Sequence, residues 1–199
     1  AGTAAEGCRI ADANGPMLAA LTSRDGGTPL MSAIVPDRPE AIRSALMEPA
    51  DVVLVSGGSS VGQEDFVPKL LAEEGGLAIH GVAMRPSSPA GMGRLAGKLV
   101  FLLPGNPVSC LCAYDFFAGR AIRVLGGRSS AWPYPLVRRK LSRKLVSTVG
   151  RLDYARVVVI GGEVEPLAIS GASILSSTTR ADGFVLVPSD SDQDRFQEL

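Results

Sequence analysis

The chain has 199 residues, of which 46% are hydrophobic and only 5% are aromatic, and its 20 basic and 20 acidic side chains balance. No net field would hold such a chain on nucleic acid or on an anionic membrane, so we exclude both as partners. The three cysteines are an odd number, which argues against a disulfide framework and favours a reducing, cytoplasmic location.

Short apolar runs alternate with helical segments through the first 125 residues, as in a doubly wound, mostly parallel α/β sheet. Polar or Gly-rich loops separate the runs and predict where each element ends. The predicted strands are 8–11, 29–35, 51–56, 77–84 and 98–103. The predicted helices are 17–26, 40–48, 66–76 and 107–125.

The stretch LPGNPVS, residues 103–109, joins a predicted strand directly to a helix. Asn106 suits the N-cap position, and Pro107 suits the first helical position because its missing N–H costs nothing there. Gly105 permits the tight reversal of the backbone. Free N–H groups at this helix start favour an anion, so we expect a ligand with a phosphate or another oxyanion.

Several polar or Gly-rich segments follow the carboxyl ends of predicted strands, which line one crevice in a parallel sheet. We therefore expect these residues to converge on one binding site. The candidates are Asp12, Asn14, Gly57, Gly58, Ser60, Gly62, Gly105, Asn106, Pro107 and Ser109.

Asp37 and Asp65 are the candidate acids of this crevice. Carboxylates beside phosphate are useful for holding Mg²⁺ or for moving protons. Each also precedes a predicted helix, so an N-cap role is the structural alternative, and the two roles are compatible.

The sequence pattern changes after residue 130, where short runs of β-branched residues separated by Gly and Pro predict a small all-β unit. We place the boundary near residue 131, which gives an α/β domain at 1–130 and a β domain at 131–199. The runs that predict strands are 144–149, 155–160, 163–169 and 183–188.

Arg85 follows an extended stretch and precedes Pro86, which allows either an anion contact or a rigid exposed turn. Cys110 and Cys112 lie two residues apart on a helix, so they do not share a face, and they are interpreted as buried apolar side chains.

Five motifs occur in a fixed order: DANGPML, IVPDRPEAI, SGGSSVGQEDF, VAMRPSSPAGMGRL and LPGNPVS. Together they resemble the MoeA family of molybdopterin molybdenumtransferases, whose eukaryotic members include the gephyrin E domain. GRLDYAR and SILSS resemble the C-terminal domain of that family more weakly. The resemblance implies a three-layer, MogA-like molybdopterin-binding domain followed by a small β domain.

The resemblance also implies an activity, the insertion of molybdate into adenylated molybdopterin with release of AMP, assisted by Mg²⁺. Asp37 and Asp65 match the family's acids and are the implied catalytic residues and metal ligands. Arg85, Pro86, Pro104 and Pro107 match its substrate-binding motifs. By looser match, Arg151 and Ser176 face the oxyanion.

Two departures from the family pattern leave other functions open. Ser87 and Ser88 stand where the family has Gly-Lys, and the two domains that precede this region in family members are not in the chain. We therefore expect the C-terminal half of a homodimeric enzyme with a MogA-like adenylyltransferase as pathway partner. The alternatives are a non-catalytic molybdopterin-binding or scaffold module and a MogA-like adenylyltransferase.

Overall fold

The computed structural model describes residues 11–57 and 66–189. The first half contains helices α1 (Asn14–Arg24), α2 (Pro39–Met47), α3 (Phe66–Glu74), α4 (Pro107–Ala113) and α5 (Gly119–Leu125). A π-helical segment, Tyr114–Ala118, joins α4 to α5 without a break, so the helix predicted at 107–125 is confirmed. The strands of this half are β1 (Val52–Ser56), β2 (Gly76–His80), β3 (Met84–Arg85), β4 (Gly91–Leu95) and β5 (Lys98–Leu103).

Four of these strands form one sheet in the order β1-β5-β4-β2. The β1–β5 pair is parallel, whereas β4 pairs antiparallel with both β5 and β2. The described sheet is therefore mixed, with its parallel part at the β1–β5 end.

Helices cover both faces of this sheet, because the side chains of β1 and β5 alternate between two apolar cores. Leu54 and Phe101 pack with α1 and with the long helix 107–125. Val53 and Val100 pack with α2 and α3 on the opposite face. The predicted three-layer α/β architecture is confirmed.

The second half contains β6 (Leu152–Ile160), β7 (Glu163–Ala168), α6 (Ser176–Thr179) and β8 (Gly183–Val187). β6 pairs antiparallel with β7 and β8, and parallel with β3 from the first half. The second sheet thus includes a strand that lies far before residue 131 in the chain. The domain boundary itself stays a prediction.

The strand predicted at 29–35 is wrong, because these residues adopt no regular structure. Leu30 and Ile34 are 75% and 84% exposed, and no described strand pairs with the segment. An apolar run forms a strand only when another strand satisfies its backbone groups. The strand predicted at 8–11 falls almost entirely outside the described residues.

Two other strand predictions need correction. The stretch 77–84 divides between β2 in the first sheet and β3 in the second. The stretch 144–149 forms no strand, since only Leu145 is buried there while Val146 and Val149 are exposed.

Candidate functional site

The carboxyl ends of β1 and β5 lie side by side, and Asn14 at the start of α1 links them. Its Nδ2 donates to the hydroxyl of Ser56 at 2.7 Å and to the carbonyl of Gly105 at 2.8 Å. The backbone of Gly57 also donates to the carbonyl of Leu103 at 3.1 Å. The structure therefore brings together Asn14, Gly57 and Gly105, three residues predicted to converge.

Asn14 has an unused acceptor in this position. The residue is only 8% exposed, and its Oδ1 is buried without a hydrogen-bond partner within the described parts of the chain. A buried amide oxygen without a donor costs free energy, so a ligand N–H or O–H would be favoured there.

The LPGNP turn starts the long helix as predicted, with Asn106 at the N-cap and Pro107 at the first helical position. The Asn106 side chain makes no capping bond, and Pro104 is buried behind the turn. The expectation of free N–H groups is wrong for Val108, because its N–H donates to the carbonyl of Ala172 at 2.9 Å. The C-terminal unit thus already occupies one donor of this helix start.

Asp12 and Asp37 each lie in a turn just before a helix. Asp12 Oδ1 accepts the N–H of Gly15 at 2.9 Å, which stabilises the first turn of α1. Asp37 is exposed in a turn, where the backbone N–H of Arg38 donates to the carbonyl of Pro36 at 2.7 Å. Arg38 is the N-cap of α2, so the alternative in which Asp37 caps that helix is wrong.

Gly58, Ser60, Gly62 and Asp65 lie outside the described residues. Within 11–57 and 66–189, no group of three or more His, Cys, Asp or Glu side chains could hold a metal ion.

Arg85 and Arg151 meet at a carboxylate that was not predicted to matter. Arg85 Nη2 contacts Asp153 Oδ2 at 2.5 Å, and Arg151 Nε contacts Asp153 Oδ1 at 3.1 Å. Asp153 is fully buried, whereas each arginine side chain stays about one-third exposed. Pro86, next to Arg85, is buried and follows a cis peptide bond.

Ser87 and Ser109 connect this region to the long helix. Ser87 is 2% exposed and donates its hydroxyl proton to the carbonyl of Ser109 at 2.6 Å. Ser176 is different: it is exposed at the start of α6, and neither Arg85 nor Arg151 hydrogen-bonds to it.

Sequence reasoning missed Arg156, which is only 1% exposed in the middle of β6. Its Nη2 donates to the carbonyl of Ser170, while Nε and Nη1 are buried without partners in the described chain. Burial lowers the pKa of this guanidinium, and the nearby Tyr154 and Cys112 act in the opposite direction. An arginine inside the otherwise apolar run ARVVVI was the available signal.

Cys112 and Cys110 lie on the helix that faces this region, and both are free and fully buried. Burial raises the pKa of the Cys110 thiol to about 12, an effect that its contact with Ser56 partly offsets. Neither thiol is therefore a nucleophile at neutral pH, which agrees with their interpretation as apolar side chains.

Two family models match the chain. Residues 5–123 match a family described as a probable molybdopterin binding domain, and residues 138–194 match the MoeA C-terminal region, domain IV. Every helix within residues 11–57 and 66–189 is too short or too polar to cross a membrane.

Curated relatives and a solved structure are similar to the same regions. The chain is 34% identical over 188 residues to a putative molybdopterin biosynthesis protein of Methanocaldococcus jannaschii. The aligned region covers 90% of this chain and 44% of that protein. It is 34% identical over 153 residues to a molybdopterin molybdenumtransferase of a Nostoc species, covering 73% and 35%.

The structure superimposes on a molybdopterin biosynthesis MoeA protein from Pyrococcus horikoshii with a TM-score of 0.74 and 28% identity. That match covers 94% of this chain and 46% of the other. The chain thus spans less than half the length of these relatives. Because one family model matches residues 5–123 and another matches residues 138–194, the chain belongs to the molybdopterin-binding domain family, in the MoeA arrangement with a C-terminal domain IV.

Proposed function

We propose that this chain forms the substrate crevice of a molybdopterin molybdenumtransferase, which inserts molybdate into adenylated molybdopterin and releases AMP. The observation that most supports the proposal is Arg156, a buried guanidinium whose Nε and Nη1 have no hydrogen-bond partner among the described residues. Such a group is stabilised when an anion pairs with it. Molybdate is a tetrahedral oxyanion whose oxygens could accept hydrogen bonds from both Nε and Nη1 of Arg156.

The pterin substrate would lie along the edge formed by β1 and β5. Asn14 Oδ1 has no partner among the described residues and would accept a hydrogen bond from a pterin N–H. Gly57 and Gly105 leave the backbone open to close approach. Arg85 and Arg151 add positive charge for the phosphate groups or for molybdate. These residues would bind and orient the two substrates while the two dithiolene sulfurs bind molybdenum and displace one molybdate oxygen, which leaves with the two thiol protons as water.

Mg²⁺ remains part of the proposal, since it is commonly bound by one or two carboxylates together with substrate phosphates. Among the described residues, the exposed carboxylate of Asp37 is the candidate ligand. When bound, Mg²⁺ would neutralise phosphate charge. A homodimer and a MogA-like adenylyltransferase that supplies the substrate are the proposed partners.

Calorimetric titration of molybdate into the chain, and into Arg156→Lys, tests the central claim. We expect wild-type binding that weakens about tenfold in the variant, because lysine keeps the charge but loses the planar fork. The control is Arg143→Lys, whose parent side chain is 64% exposed. Equal affinity of wild type and Arg156→Lys would contradict the proposal.

A non-catalytic molybdopterin-binding or scaffold module is the second candidate. Ser87 and Ser88 occupy the loop where the family has a lysine, and the Ser87 hydroxyl is already bonded to Ser109. Such a module would bind adenylated molybdopterin but release no AMP when molybdate is added. An adenylyltransferase would instead consume ATP, and the match to the MoeA C-terminal region argues against that function.

A further inference from the structure

Asp153 accepts hydrogen bonds from three side chains, two from its own stretch of chain and one, Arg85, from 68 residues away. Arg85 and Arg151 each donate to one carboxylate oxygen, and Ser147 donates to Oδ2 at 2.8 Å. Arg85 and Asp153 are direct neighbours in the parallel β3–β6 pair. The strand register therefore sets the position of the Arg85 contact.

The charge of this cluster is unbalanced, because two guanidinium groups share one carboxylate. The carboxylate is fully buried, while the arginine side chains are 31% and 33% exposed. Each arginine uses part of its five N–H groups on Asp153, and Arg85 Nε is buried without a hydrogen-bond partner in the described ranges 11–57 and 66–189. A net positive charge with unused donors at a partly open position suits an oxyanion.

We propose that Asp153 is a positioning residue that holds Arg85 and Arg151 together as one receptor for a tetrahedral oxyanion. Without the shared carboxylate, the two guanidinium groups would repel each other, and their long side chains would lose a fixed direction. The receptor's part in the reaction rests on the proposed function. The oxyanion is molybdate or a substrate phosphate, which share this chemistry.

For the variant Asp153→Asn, a positioning role and simple electrostatics predict opposite changes in anion affinity. Removing a negative charge near an anion site should strengthen anion binding if only the net charge matters. If Asp153 positions the arginines, binding should instead weaken by about tenfold, as groups that orient a ligating side chain commonly change affinity by this much. Titration calorimetry with molybdate, and separately with inorganic phosphate, distinguishes the two ions.

Two controls isolate the effect. Asp51→Asn removes the same charge from an exposed residue before β1, at the amino end of that strand, and should leave the affinity unchanged. Arg151→Lys keeps the charge but loses the Nε–H contact with Asp153, so it should weaken binding as Asp153→Asn does. If Asp153→Asn does not fold, wild-type affinity in Arg151→Lys would still overturn the positioning role.

The outcomes separate this inference from the proposed function. Unchanged or tighter anion binding in folded Asp153→Asn, or wild-type affinity in Arg151→Lys, would overturn the positioning role. If Arg156→Lys alone weakens molybdate binding, the proposed function stands without it. If wild type binds no molybdate, the proposed function fails, whereas phosphate binding that Asp153→Asn weakens would still support the role of Asp153.

Discussion

The guanidinium of Arg156 lies within the second sheet, where Nη2 donates to the carbonyl of Ser170. Its Nε and Nη1 have no hydrogen-bond partner in the part of the chain that the structure describes. A buried charge without a full set of partners destabilises the folded chain. We therefore predict that Arg156→Met raises the free energy of unfolding by about 1 kcal/mol while abolishing molybdate binding. Urea denaturation and titration calorimetry on the same preparation measure both effects.

Arg143→Met is the matched control, since the Arg143 side chain is 64% exposed and bonds only at the surface, to Glu165 and Pro166. Its unfolding free energy should change by less than about 0.5 kcal/mol. A large loss of stability in Arg156→Met would mean that the buried arginine is a structural group, and the binding role would lose its main support.

Asp25 and Asp115 share Arg24, at 2.7 Å and 2.9 Å, yet their pKa values move in opposite directions. Burial alone would raise the pKa of Asp25, but its contacts with Arg24, Tyr114 and Arg123 lower it overall. Burial outweighs the contacts of Asp115, so its pKa is raised. Asp25 thus adds stability that is lost as the pH falls below about 4, whereas the stability linked to Asp115 is lost as the pH rises above about 4.

We predict opposite pH profiles for the two asparagine variants. The stability deficit of Asp25→Asn should be largest at neutral pH and shrink towards pH 3, while that of Asp115→Asn should shrink as the pH rises. Urea unfolding curves recorded between about pH 3 and pH 7 test this, with Asp51→Asn as the exposed control. Parallel profiles for the two variants would contradict the opposite signs.

Strand β4 depends on glycine at two positions where β2 comes close. A Cβ on Gly93 would lie 2.5 Å from the carbonyl oxygen of Gly76, and one on Gly91 would lie 2.7 Å from that of Ile79. We predict that Gly93→Ala lowers the free energy of unfolding by about 2 kcal/mol, because the backbone of β2 must move. Chemical denaturation measures the loss.

Gly183→Ala in β8 is the control, since no heavy atom of the described residues, apart from its own chain neighbours, lies within 4 Å of the added methyl group. Its stability should stay within about 0.5 kcal/mol of the wild type. Similar losses in both alanine variants would show that the cost comes from the glycine backbone in general rather than from the close approach of two strands.

Strand β4 shows why some elements could be predicted from the sequence and others could not. β1 and β5 are continuous β-branched and leucine runs, and the helix at 107–125 begins with a proline after an asparagine, so local chemistry was enough to predict them. β4 was missed because its glycines lower β-propensity, and their purpose is visible only once β2 lies beside them. The apolar run 29–35 was overpredicted for the opposite reason, since it lacks a described partner.

The remaining features of the candidate site depend on contacts between residues that are distant in the sequence, so they could not be predicted from it. Asn14 was predicted at the strand ends because topology alone places it there. The link from Arg85 to Asp153 joins residues 68 positions apart and depends on the β3–β6 register. The burial of Arg156 likewise depends on packing of the second sheet. The apolar run ARVVVI makes this arginine conspicuous, but a local pattern does not show that its side chain lies inside.

At the scale of the whole molecule, an aromatic cluster joins the two halves. Trp132 lies 4.9 Å from Phe116 in the π segment and 5.5 Å from Phe184 in β8, measured between ring centroids. Tyr134 adds a 2.8 Å hydrogen bond to Asp115. We predict that both halves unfold together, so Trp132 fluorescence and far-ultraviolet circular dichroism should give the same midpoint in urea.

Trp132 is the single tryptophan of the chain, so its fluorescence reports on this junction. Phe184→Ala should lower the midpoint and separate the two signals, because it removes the β8 side of the cluster. Two separate transitions in the wild type would show that the halves are energetically independent.

Strand β3 has only two residues, Met84 and Arg85, yet it belongs to the sheet of the second half. The two halves of the gene therefore cannot be exchanged freely with those of a related gene. A recombination event near codon 131 would join a foreign β6 to this β3 and would separate Arg85 from the Asp153 to which it is bonded. A hybrid of two relatives would keep the anion receptor only if both parents had the same arginine and the same acid, so these two distant positions must be inherited as a pair.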